Sequence, residues 1–151
     1  MMPTATFRHS VHSPADVDRI WAALQDPRTW EHVGPVEKVW DPEFDDDGTL
    51  VGYRWSTSIG SKEYEGHAHT VEHRRGECFR IDLDGGEMGG ILAAELSSDV
   101  DGTGIDVTLE IRTQGMMSSL LFPAIRGAIA SGFPEQVESL TRRISGLEDG
   151  A

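Results

Sequence analysis

The chain has a single cysteine, only two lysines, and no apolar run long enough to span a bilayer. Cys78 therefore cannot form an internal disulfide. Lys38 and Lys62 stand against eleven arginines, and acidic residues outnumber basic ones to give a formal net charge of -13. That bias fits GC-rich coding or a salt-adapted host. It also leaves no basic footprint, so a nucleic-acid backbone is not an expected partner, and an anionic membrane surface would repel the chain. The segment from Met1 to His9 lacks both a basic start and an apolar core. This predicts no secretory leader and a cytoplasmic location. A length of 151 residues suits one domain, 1–151, with its core over about 5–146. There are no repeats and no low-complexity tract.

What is present is a clear change of period along the chain. Ala5, Phe7, His9 and Val11 alternate with polar residues and predict a first strand. Ser13 as N-cap and Pro14 at the first helical position predict a helix to Leu24. Asp26-Pro27 repeats the signal for a second short helix carrying Trp30, which stops at Gly34-Pro35. Val36 to Trp40 reads as a short strand, and Asp45-Asp46-Asp47-Gly48 as a turn without calcium-loop spacing. Leu50–Ile59 and Lys62–Arg74 predict a hairpin, because Gly60-Ser61 suits a two-residue turn. That turn sets Tyr53 opposite Ala68, Trp55 opposite Gly66 and Thr57 opposite Tyr64. Three more alternating strands follow, carrying Phe79 and Ile81, then Leu92, then Leu109 and Ile111. Each has one wet face, as in an antiparallel sheet covered on one side. From about Ser118 the period is helical, with a stripe through Leu121, Ile125, Ile129, Phe133, Val137 and Leu140. Pro123 and Gly132-Phe133-Pro134 predict a kink or break, and Gly146 the end.

This order resembles the START-like helix-grip superfamily, which includes the polyketide cyclase/dehydrase and birch-pollen-allergen-like families. The resemblance is carried by Val11-His12-Ser13-Pro14 with Val17, Ile20-Trp21, Leu24 and Asp26, by Trp30, by Val71-Glu72-His73, and by the long closing helix. It implies an α+β fold. A curved antiparallel sheet of about six to seven strands would wrap around the C-terminal helix, with two short helices after the first strand. It also implies a mostly apolar cavity for a lipid, polyketide or other hydrophobic molecule. Some members resembling this chain catalyse cyclisation or dehydration there, but the fold supplies no universal catalytic residue.

On this reading Phe7, His9, Tyr53, Trp55, Thr57 and Tyr64 line the cavity from the first strand and the hairpin. Phe79, Ile81, Leu92, Leu109 and Ile111 complete its sheet wall, and Leu121, Ile125 and Ile129 face them from the helix. His9, Tyr53 and Tyr64 are the acid–base candidates should the protein be an enzyme. Glu65, His67, His69 and His73 share a strand face that the register turns to solvent, so no metal site is expected. Cys78 points outward by parity and has no activating partner. Met116 and Met117 sit where they could adapt a cavity mouth or serve dimerisation. Three functions follow: a carrier of a small hydrophobic ligand without cofactor, a cyclase or dehydratase, or a protein-interaction module. Either a monomer or a homodimer is compatible with each.

Overall fold

The computed structural model describes residues 4–31, 33, 36–59, 62–86, 88–113 and 122–144. Seven strands, β1 (Thr4–Ser13), β2 (Lys38–Phe44), β3 (Leu50–Ile59), β4 (Lys62–Arg74), β5 (Cys78–Asp84), β6 (Met88–Asp99) and β7 (Gly102–Thr113), form one sheet. Every pairing is antiparallel, in the order β1-β7-β6-β5-β4-β3-β2. Helix α1 (Val17–Leu24) and a 3-10 turn (Pro27–Trp30) follow β1, and the long helix α2 (Phe122–Ile144) comes last. No helix among the described residues is long and apolar enough to cross a membrane.

The hairpin register is the one set by a two-residue turn: Ile59 pairs with Lys62, Thr57 with Tyr64, Trp55 with Gly66 and Tyr53 with Ala68. The Gly60-Ser61 turn itself lies outside the described residues, as do Gly34-Pro35, Met116, Met117 and Gly146. The Asp45 carboxylate accepts from the backbone N–H groups of Asp47 and Thr49 at 2.9 Å each, which closes the β2–β3 turn.

Four expectations need correction. Helix α1 begins at Val17 and is capped by Asp16, whose Oδ1 accepts from the Arg19 N–H at 2.9 Å. Ser13 instead ends β1, buried, and its hydroxyl accepts from the Ala15 N–H. Helix α2 is not broken at Gly132-Phe133-Pro134 but continues through Pro134. That proline stands on the exposed side, where water can take the carbonyl it leaves unpaired. Pro123 is the second residue of α2, where its missing N–H has no helical partner to lose. In β4, Thr70 pairs with Ile81 and Glu72 with Arg80, so Val71 is an extra, exposed residue. This bulge reverses the parity of the strand end. His73 falls opposite Phe79 and leaves the row of Glu65, His67 and His69.

Cys78 keeps its outward parity but is buried, covered by the Arg74 guanidinium, whose Nε lies 3.4 Å from Sγ. Strand β2 forms one edge of the sheet. It carries Asp41 at φ 52 and Pro42 between its paired residues Trp40 and Glu43. The opposite edge, β1, packs against α2.

Candidate functional site

Antiparallel register places directly paired residues on the same face, so the inner wall can be read in rows. One row runs Tyr53, Ala68, Leu83, Gly90, Ile111, Ala5 from β3 to β1. The next runs Thr70, Ile81, Leu92, Leu109, Phe7, and a third Phe79, Ala94, Val107, His9. Tyr53, Trp55, Phe79, Ile81, Leu92, Leu109 and Ile111 are all essentially inaccessible to solvent. Thr57 is buried, while Phe7, His9 and Tyr64 are half-buried.

Helices cover this wall from one side. The rings of Phe7 and Phe133 meet at 6.1 Å, so α2 lies over the β1 end. Ile129, Phe133, Val137 and Leu140 bury the α2 stripe. Leu121 and the Ile125 side chain lie outside the described residues. At the third row, Trp21 meets Phe79 edge-on at 5.8 Å and Trp30 stacks on it at 6.0 Å. The Trp30 Nε1–H donates to the Leu24 carbonyl at 3.0 Å, which fixes its ring. Trp21 and Trp30 were readable as helix-face residues, but their meeting on Phe79 needed the fold.

Two polar atoms on this wall have no hydrogen-bond partner among the described residues: the Tyr53 hydroxyl and Trp55 Nε1. Trp30 shows what a buried indole ordinarily does, and Trp55 lacks it. Each such orphan costs on the order of 1–3 kcal/mol, so two on consecutive inward positions of one strand ask for an explanation. Burial pushes the Tyr53 phenol up from its ordinary range, which keeps it neutral. The Trp55 indole is held from below. A Cβ on Gly66 would lie 2.7 Å from its Cε2, and one on Gly85 would lie 3.0 Å from its Cη2.

The three acid–base candidates stand on three different strands, β1, β3 and β4. His9 lies on β1 and Tyr53 on β3, five strand steps apart, or on the order of 24 Å along the sheet. Tyr64 is paired with Thr57, two residues past Trp55 on the hairpin. His9 makes no hydrogen bond among the described residues. On the outer face His67 and His69 stack at 5.5 Å, both exposed. Among the described residues no group of three or more His, Cys, Asp or Glu is placed to hold a metal ion.

A seven-stranded antiparallel sheet with a short helix after the first strand and a long closing helix defines the helix-grip fold of the START-like superfamily. The chain belongs to the polyketide cyclase / dehydrase and lipid transport family, whose model matches residues 4–145. Among solved structures it is similar to the di-domain ARO/CYC StfQ from the steffimycin biosynthetic pathway, at TM-score 0.67 and 12% identity. That match covers 98% of this chain and 52% of StfQ, so the chain spans about half of that protein's length. A START superfamily protein from Mycobacterium smegmatis matches at TM-score 0.67 and 12% identity, over 92% of this chain and 98% of its own. Ara h 8.0201 matches at TM-score 0.63 and 12% identity, over 99% and 100%. Comparison with curated protein sequences returns no match.

Proposed function

We propose that this protein binds a small hydrophobic or amphipathic molecule between the inner face of its sheet and α2. The observation that carries the reading is the composition of the wall. Its rows are apolar except for a few polar tips, and those tips lie apart rather than in a reacting set. A wall of this kind withdraws most of a ligand from water and keeps its polar groups for orientation. Family membership supports the same class of ligand. The family's description also names cyclases and dehydrases, which favours a second reading in which the ligand reacts. That reading needs an acid and a base near one substrate atom. His9 and Tyr53 stand on strands five steps apart in the sheet, and neither is hydrogen-bonded to another titratable group among the described residues, so binding without chemistry is preferred. No cofactor is required by either reading. We take the protein to act in the cytoplasm, as a monomer or homodimer.

Titration with a hydrophobic fluorescent probe tests the proposal. Wild-type protein should bind it with a micromolar Kd. Leu92→Trp, in the middle of the second row, should occupy the ligand's space and weaken binding at least tenfold while keeping its wild-type Tm. Ala68→Leu beside Tyr53 serves the same purpose if Leu92→Trp lowers Tm. Unchanged binding in a folded variant of both kinds would remove the cavity from consideration and favour a protein-interaction role.

A further inference from the structure

We infer that the ligand presents a neutral carbonyl oxygen, as in a ketone, quinone or amide, to the Tyr53 hydroxyl and Trp55 Nε1. The inference rests on the ligand-binding reading above and adds the chemistry of the ligand's polar end.

Both atoms are buried and without partners among the described residues. They stand on consecutive inward positions of β3, about 7 Å apart along the strand at the level of the backbone. An indole N–H can only donate, so only an acceptor satisfies Trp55. A neutral phenol beside it offers a second donor. The ligand group must therefore accept, and three kinds of acceptor can be compared.

A carboxylate would enter as a charge. The three rows of the inner wall carry no lysine or arginine to meet it, and Arg143, whose buried Nε also lacks a partner among the described residues, stands on the last turn of α2, the helix that packs against β1 at the other side of the sheet from β3. Two neutral donors do not compensate the desolvation of a full charge, and a chain of net charge -13 opposes its approach. A hydroxyl would accept, but its own proton would then need an acceptor. Directly across from the two donors, Gly66, Ala68 and Leu83 have no polar side chain, and the inward hydroxyls of Thr57 and Thr70 stand one position further along their strands, Thr70 already bonded to the Leu50 carbonyl. A carbonyl oxygen has two lone pairs and no proton, so it leaves nothing unpaired. The donors are also set in advance. The indole packs over Gly66 and Gly85, where any side chain would collide with it, and a donor on a packed ring loses little freedom on binding.

The experiment compares 9-fluorenone with fluorene, which share a ring skeleton and differ by the carbonyl. Binding of each is measured by calorimetry to wild type, Tyr53→Phe and Trp55→Phe. The carbonyl stretch of bound fluorenone is recorded by infrared difference spectroscopy. Wild type should prefer fluorenone by about tenfold, the size expected for one to two net hydrogen bonds. Each variant should cut that preference to about threefold, the preference being read as the ratio of the two affinities within each protein so that any common change in binding cancels. The stretch in wild type should move to lower wavenumber than in hexane. Equal binding of the two compounds to wild type, with an unshifted stretch, would mean that the donors hold only water and would overturn the inference while leaving the ligand-binding reading intact. Failure of both compounds, and of the hydrophobic probe, to bind wild type would overturn that reading and the inference with it. The infrared shift needs no variant, so the inference stays open to refutation even if Tyr53→Phe does not fold.

Discussion

Trp55 owes its position to two residues that have no side chain. The hairpin register sets the indole across from Gly66, and the ring reaches on over Gly85 beyond the end of β5. Adding one methyl group at Gly66 would drive a carbon into the Asp84 carbonyl and to within 2.7 Å of the indole. Gly66→Ala should therefore cost about 1–3 kcal/mol through overpacking, read as a lower midpoint in urea. Gly127→Ala is the control. Its added carbon meets nothing within 4 Å on α2, so it should raise stability by about 0.5–1 kcal/mol through helix propensity. The pairing of a large ring with glycine was legible in the sequence, because turn length fixes which residues meet. The missing partner of Trp55 Nε1 was not. Whether a donor is satisfied depends on every chain segment that passes near it, and alternation reports only the side on which a residue stands.

Elements were legible where one local rule governed them. The β3–β4 hairpin follows from its turn, and the Asp26-Pro27 cap does produce a short helical segment, with Asp26 Oδ1 accepting from the Arg28 N–H at 2.9 Å. The Val71 bulge escaped, because a one-residue insertion into a ladder leaves no composition mark of its own. Its effect reached the candidate site by taking His73 out of the histidine row. Helix α2 runs on through Pro134, where a break is one of the two expectations, for a different reason. A proline inside a helix loses one hydrogen bond and crowds the carbonyl four residues back. Burial of Ile129, Phe133, Val137 and Leu140 along the same helix outweighs that local loss. Pro134→Ala should restore the bond to Ala130 and stabilise the fold by about 1–3 kcal/mol. Differential scanning calorimetry of the variant checks it, and an unchanged or lower Tm would mean that the proline is accommodated without cost.

For the molecule as a whole, the order of elements revealed the superfamily, since one strand, short helices, a meander and a long helix have few ways to share a core. The proposed ligand chemistry was not legible, because it rests on the few wall atoms that the core leaves unpaired. The acidic surface sets the pH behaviour. A side-chain hydrogen bond from Arg8, whose Nε donates to Asp106 Oδ1 at 2.9 Å, holds the Asp106 carboxyl below its ordinary value. Arg28 does the same for Asp26. These carboxyls are lowered on folding, so their contribution is present above the unfolded value of about 3.9 and is lost as pH falls through the folded one. Tm should thus decline as pH drops from about 4 toward 2, and the decline should be shallower in Asp106→Asn, measured by circular dichroism. The β2 edge has a colloidal consequence. With Asp41 in a left-handed conformation and Pro42 lacking an N–H, this outer strand offers no unbroken ladder for another chain to copy. Two molecules that meet here cannot merge their sheets, and growth of a fibril by strand addition has no template on this side.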